Sequence, residues 1–446
     1  MQTIPALRVG DDLPPNVQRT ESLRPGPAWG PVKKLLFRFA FVYLVVYNFP
    51  FLLYYIPYAD VATTWYFRIW SAFVPWVGKH VFHVTLAPRG GWDSAYGYVQ
   101  VFCFLVTSVA IALIWTLLDR KRRNHARLYE GLRVYVRFVL AVTMIEYGAS
   151  KVLPSQFPAP ATDRLMQPFG DASPMGLLWT FMGASVAYTF FAGLAELVGG
   201  LLLTVRRTTL LGALICIGVM SNVVMLNFSY DVPVKVYSTH LLLMAVFLAA
   251  HDLQRLANVL VLNRPAEPEE VRSLFRKRWL ARTAAAFAAV FILYTTGTTL
   301  YRLYKEMEEY GSQAASRSPL YGMWNVEEFV VDGQVRPPLV TDEKRWRRIF
   351  FNTPGRFAIQ LMSDSRERYN LVELDEKKRT LVISKRRNDP NGKATLVYRR
   401  LQPDVLLIEG PFDGHEVRAR LRRTEPPEFL LVTRGFHWIN ERPFNR

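Results

Sequence analysis

Cysteine is almost missing from this chain: two occur in 446 residues, Cys103 and Cys216. They lie far apart inside apolar runs and match no Cys-x-x-Cys or zinc spacing. A disulfide framework, a thiol redox centre and a cysteine-held cluster are therefore unsupported. Also missing are a Walker loop, a dinucleotide-binding glycine fingerprint and a zincin motif, which leaves nucleotide and zinc-protease chemistry without a sequence basis. The polar, Pro-rich residues 1–31 contain no early apolar core and no small-residue cleavage site, so no cleavable export signal is read there. A disordered cytoplasmic tail is expected instead.

What is present falls into two unlike parts. The mean hydropathy of +0.08 averages them and looks deceptively soluble. Residues 32–302 contain seven apolar runs: Leu35–Ile56, Tyr96–Leu118, Leu132–Ser150, Leu177–Thr204, Thr209–Leu226, Val236–Ala250 and Leu280–Tyr301. Each reaches about the 20 residues that a bilayer requires, the shorter ones by including polar flanks. Residues 58–90, rich in Trp, Tyr and Phe but broken by Arg68, Pro75, Lys79, His80, His83 and Pro88, read as an interfacial or re-entrant segment.

Basic clusters precede the first run and separate the second from the third, the fourth from the fifth and the sixth from the seventh. Four clusters on one side form the positive-inside pattern. A multi-pass protein of the bacterial inner membrane is expected, with seven transmembrane helices, a cytoplasmic N-terminus and a periplasmic or extracellular C-terminal domain. The formal charge of +18 is shared: residues 319–446 hold 24 Lys and Arg against 18 Asp and Glu, leaving +12 for the rest. Short basic loops beside apolar runs point to the lipid bilayer as partner, and nucleic acid is not expected.

A polar linker is read over 303–318. From residue 319 the pattern becomes short alternating strands, from Trp324–Val331 and Trp346–Phe351 through to Phe429–Thr433, with turn signals at Asp332-Gly333, Asn391-Gly392 and Asp413-Gly414. Eight or nine strands in a tight meander fit an up-and-down antiparallel barrel. The stretch Leu320-Tyr-Gly-Met-Trp-Asn-Val-Glu327 resembles the opening strand of the lipocalin and fatty-acid-binding-protein superfamily. That resemblance implies structural roles for Gly322 and Trp324, with a basic residue of a late strand packed against the tryptophan; Arg434 is the candidate. Asn440–Arg446 forms a polar-aromatic tail suited to docking on the barrel or the membrane.

The run ending Glu146-Tyr-Gly-Ala-Ser-Lys151, followed by Gly193-Leu-Ala-Glu196-Leu-Val-Gly-Gly-Leu-Leu-Leu203 and Arg206-Arg207, resembles the DoxX/DoxD-like bacterial membrane proteins over about 130–255. Some members are associated with quinone-linked sulfur oxidation or membrane oxidoreductase complexes. This chain departs from the family by its added spans and its barrel.

The stretch from about Leu132 to Ala250 holds most of the polar side chains at membrane depth, namely Arg137, Glu146, Lys151, Glu196, Asn222 and His240. A charge there costs roughly 2.5–3.5 kcal/mol on insertion scales. Gly199 and Gly200 would let another helix approach beside Glu196. Its carboxyl is suited to exchanging a proton with a quinone-like headgroup, or to a helix-packing hydrogen bond, for example to Asn222. Glu146 and Arg137 lie on opposite helix faces, and Glu146 would reach His240 if their helices touch. Glu146, Glu196 and His240 are the candidate proton relay, while Arg137, Lys151 and Asn222 are candidate ligand contacts. Lys151 is also suited to snorkelling as an anchor. His240 and His251 share a helix face about 16 Å apart, but no other run supplies facing histidines, so haem is not expected. No metal site is read.

The leading expectation is an accessory or binding component that holds an apolar ligand, quinone or lipid, and presents it to the barrel. Two alternatives stand beside it: a quinone-linked membrane oxidoreductase subunit, and a structural docking component of an envelope complex. A barrel interior filled by side chains would remove the barrel as ligand container.

Overall fold

The computed structural model describes residues 28–55, 58–87, 93–267, 277–315, 320–352, 355–385, 392–439, 441–442 and 444. The expected leader thus falls outside the described residues up to 27, as does Asn391 of one predicted turn. The chain divides into two compact units: Met1–Leu140 with Phe247–Ala288, and Ala141–Val246 with Ala289–Arg446.

In the first unit, α1 (Pro31–Asn48), α2 (Asp60–Val81) and α3 (Ala95–Leu118) carry most of the packing. The aromatic segment read as interfacial contains α2, an amphipathic helix of 22 residues. Its Trp70, Val74 and Val77 pack with Val99, Cys103 and Phe104. Trp65, Ile69, Phe73 and Trp76 form an exposed stripe at near-helical spacing. Arg38, near the start of the first apolar run, is buried. It donates to His125 Nε2 at 3.2 Å, Thr116 Oγ1 at 2.9 Å and the Asp119 carbonyl at 2.9 Å. It therefore staples α1 to the end of α3.

The helices of the second unit are the latter part of α4 (Ala126–Val152), α5 (Pro174–Ala184), α6 (Val186–Thr204), α7 (Thr209–Ser229), most of α8 (Lys235–Ala249) and most of α9 (Arg278–Ala315). The single run expected over Leu177–Thr204 is two helices. Ser185 adopts an extended conformation between them and its hydroxyl accepts from the Tyr188 amide, an N-cap that starts α6. The segment read as a linker over 303–318 is helical as far as Ala315. Among the described residues, five helices are by length and composition apolar enough to cross a membrane: Ala95–Leu118, Val186–Thr204, Arg206–Ser229, Lys235–Leu260 and Arg278–Glu308.

The strand domain is a closed antiparallel barrel. Its strands are β1 (Gly322–Val331), β2 (Gln334–Val335), β3 (Trp346–Phe351), β4 (Arg356–Leu361), β5 (Arg366–Asp375), β6 (Thr380–Ser384), β7 (Lys393–Gln402), β8 (Val405–Phe412) and β9 (His415–Thr424). Eight follow one another as a meander and β1 pairs with β9 to close the ring; the two-residue β2 only extends the hairpin from β1. The expected strand at Phe429–Thr433 is a short helix, Leu430–Thr433. Closure between β1 and β9 leaves no barrel edge for a further strand to join. The Asp332-Gly333 and Asp413-Gly414 turns have both central residues at positive φ, the type I′ geometry that such pairs favour.

Trp324, Ile349 and Ile359 form one inward row of a continuous buried core. Rings also bridge non-neighbouring strands: Trp346 on β3 meets Phe412 on β8 at 5.0 Å between centroids, and Phe412 meets Tyr369 on β5 at 5.5 Å. Such contacts reach across the interior, where these side chains pack together. That packing tells against the barrel itself as the container of an apolar ligand.

Candidate functional site

Glycine spacing places the candidate site. Gly193, Glu196 and Gly200 recur at i, i+3 and i+7, so they share the face of α6 turned towards α4. A Cβ on Gly193 would lie 2.6 Å from Lys151 Cβ, and one on Gly200 would lie 2.9 Å from the Ala141 carbonyl. From the other side, a Cβ on Gly148 would lie 2.5 Å from the Leu197 amide. The two backbones touch at this crossing, as small residues permit in helix pairs. Gly199 faces α7, where a Cβ would lie 2.9 Å from Cys216 Sγ.

This crossing brings Lys151 onto Glu196. Nζ lies 2.6 Å from Oε1 and 2.5 Å from Oε2, and both side chains are buried. An ammonium has three N–H donors; Glu196 engages two in this geometry and leaves a third. Tyr147 places its ring 5.6 Å from the same Nζ. The pair lines a cavity of about 200 Å³ whose walls come from α4 to α8, including Trp179, Ala195, Asn222 and Tyr237. Its lining is mostly apolar with a few convergent polar groups, the usual makeup of a small-molecule site. An engineered apolar cavity of roughly 150 Å³ admits benzene, so this one is large enough for a single substituted ring or a short acyl segment. The ion pair has no net charge, and an uncompensated ligand charge beside it would be costly. A neutral molecule with a hydrogen-bond acceptor suits the third donor.

The predicted polar residues separate in space. Glu196, Lys151 and Asn222 line the cavity. Glu146 instead pairs with Arg302 of α9. His240 is buried and its Nδ1 bonds the Val236 carbonyl of its own helix at 2.7 Å. Arg137 lies in the first unit, buried, with its guanidinium 4.9 Å from the Phe138 ring. In the barrel, Gly322 has φ +131°, a region that favours glycine, and Arg423 lies across β1–β9 from Trp324. The Trp324 indole donates to the Leu320 carbonyl at 2.8 Å. Arg434 lies 3.9 Å from the Phe444 ring.

Sequence reasoning missed a second buried carboxylate. Asp163 lies in the short helix Thr162–Leu165 of the Pro-rich loop between α4 and α5. It accepts from Arg366 Nη1 at 2.9 Å, Arg368 Nε at 3.1 Å and Asn352 Nδ2 at 2.7 Å, all from the barrel wall. Met166 packs beside it on Met323, Phe350 and Ala358, an outward row running across β1, β3 and β4. Burial lowers the Arg366 guanidinium from its ordinary value to about 10, and it remains charged at neutral pH. Nothing in the sequence of this row names the loop that covers it.

Fold and site together define a protein of apolar helices with a cavity among them and a closed barrel clamped to one of their loops. No family model matches the chain, and no solved structure matches it. It is 30% identical over 143 residues to the uncharacterised protein YwoB of Bacillus subtilis strain 168, covering 32% of this chain and 91% of that relative. The chain belongs to the family of that protein. A relative of that length has no room for both the helical part and the barrel.

Proposed function

We propose that this is a DoxX-like integral membrane binding component, accessory rather than catalytic, which holds one apolar molecule in the cavity beside Lys151 and Glu196. The observation that carries the reading is a buried ion pair in the wall of an otherwise apolar cavity. The ligand class is a quinone or lipid, entering as a neutral ring or short acyl segment with an acceptor for Lys151. The barrel takes part from outside, through the loop clamped at Asp163, and not as a container. The relay alternative is weaker because Glu146 and His240 have partners of their own. A docking role in an envelope complex draws support from the filled barrel.

The topology proposed is seven spans, with α1 and α4 added to the five apolar helices, α2 at the interface and the barrel on the periplasmic side. Parity supports the placement of loop and barrel together. Between the Asp163 loop and the barrel lie α5, too short at 11 residues to cross a bilayer, and then α6, α7, α8 and α9, all four among the apolar helices. An even number of crossings returns the chain to the side of the loop, as the Asp163–Arg366 bond requires.

Mass spectrometry of an organic extract from protein purified in mild detergent tests the binding. One quinone or lipid per chain is expected in the wild type, with loss in Ala195→Phe, which fills the cavity. Wild-type protein empty of any apolar molecule would overturn the reading.

A further inference from the structure

The segment after the barrel has a composition that neither the cavity nor the barrel uses. The barrel closes without it, through β1 and β9. Leu430, Leu431, Phe436, Trp438 and Ile439 are all exposed, Trp438 by 90%. Phe436 and Trp438 form an edge-on ring pair at 5.0 Å, and Arg434 lies against Phe444. Exposed Trp, Phe, Leu and Ile interleaved with Arg434 and Arg442 match the composition of a membrane interface, where amphipathic rings occupy the headgroup level.

Strand register says at which end of the barrel this segment leaves. Thr424, the last residue of β9, pairs with Met323 at the start of β1. Met323 packs against Met166 of the loop that emerges from α4. Leu320, two residues before β1, lies five residues beyond Ala315 at the end of α9, a reach of at most about 18 Å. The barrel end from which the chain leaves after Thr424 is therefore the end tied to the helices twice, by α9 and by the Asp163 loop. The far end carries the Asp332 and Asp413 turns.

We propose that residues 429–439, with 441–442 and 444, form an interfacial anchor, seating this end of the barrel on the lipid headgroups with the apolar side chains inserted and the arginines at the phosphate level. This inference rests on the reading that the apolar helices span a bilayer. The occupant is the bilayer surface itself.

The full chain, with Cys103 and Cys216 replaced by alanine, is reconstituted in phosphatidylcholine–phosphatidylglycerol nanodiscs and labelled with bimane at one new cysteine at a time. Trp438→Cys reports the anchor, Gln334→Cys the far end of the barrel, and Val290→Cys the apolar part of α9. Headgroup-proximal doxyl lipids should quench the label at 438 at least twofold more than the label at 334, while acyl-chain doxyl lipids quench the label at 290. Equal quenching at 438 and 334 alongside strong quenching at 290 would overturn the anchor and leave the spanning reading intact. A label at 438 that is blue-shifted but unquenched would place this segment against protein and overturn it equally. An unquenched label at 290 would remove the spanning reading, and the anchor with it.

Discussion

Two buried carboxylates, one in the helical bundle and one at the barrel wall, are opposite solutions to the same electrostatic problem. Glu196 has a single lysine partner and faces a cavity. Asp163 is enclosed by Arg366, Arg368 and Asn352, with the Arg366 guanidinium also bonding the Asp163 carbonyl. Each offsets the desolvation of a carboxylate by hydrogen-bonded cations. The difference lies in what is left over. Around Asp163 the donors converge on the loop itself, which makes the group a clamp. Beside Glu196 one ammonium proton and an empty volume remain, which makes the group part of a site. The same contrast holds between interiors: rings bridge the barrel, while the bundle keeps about 200 Å³ open.

Removing one partner of the bundle pair should have the largest effect. Glu196→Ala leaves Lys151 charged in an apolar wall and is expected to cost about 3–5 kcal/mol, whereas the double change Lys151→Met with Glu196→Leu should be nearly neutral. Thermal unfolding in detergent measures both, and a double variant as unstable as the single one would mean that packing, not charge, dominates at the crossing. Trp346→Ala in the filled barrel should cost about 3–5 kcal/mol. A cost below 1 kcal/mol would contradict a packed interior and restore the barrel as a container.

Asp163→Asn, which keeps the shape and removes the charge facing two arginines, should cost about 1–3 kcal/mol. Its signature is faster hydrogen exchange in β3 to β5 with the cavity ligand retained; loss of the ligand in this variant would couple clamp and site. Smaller still, the Glu416 amide and the His415 side chain hold the exposed Asp332 carboxyl below its ordinary range. A depressed folded pKa contributes stability above the unfolded value of about 3.9 and loses it as pH falls through the lower folded value. Protection of the Glu416 amide should therefore decline only under strongly acidic conditions; a decline near neutrality would exclude Asp332 as its cause.

Much of the fold was legible because it depends on local period. Alternation located eight barrel strands, and the Asp-Gly pairs located two tight turns. The strand expected at Phe429–Thr433 failed because strand composition says nothing about whether an edge is available, and β1 and β9 had already closed the ring. The break at Ser185 failed for a related reason: an apolar run continues through it, and only the capping geometry shows two helices. The site was half legible. Glu196 stood out with Gly199 and Gly200 beside it, while the lysine that pairs with it lies 45 residues earlier. Asp163 was not legible at all, since its arginine partner is 203 residues away.

Sequence alone determined the division into an apolar helical part and a strand part, the barrel's meander, and which side chains in the apolar runs need a partner. These follow from period and from the cost of polar groups in hydrocarbon, both properties of a short window. Tertiary structure decided which partner each charge has, which interior is filled and which is open, and which barrel face the loop covers. Those outcomes depend on distances between segments remote in sequence, where a shift of a few ångströms turns a buried charge from unpaired to paired.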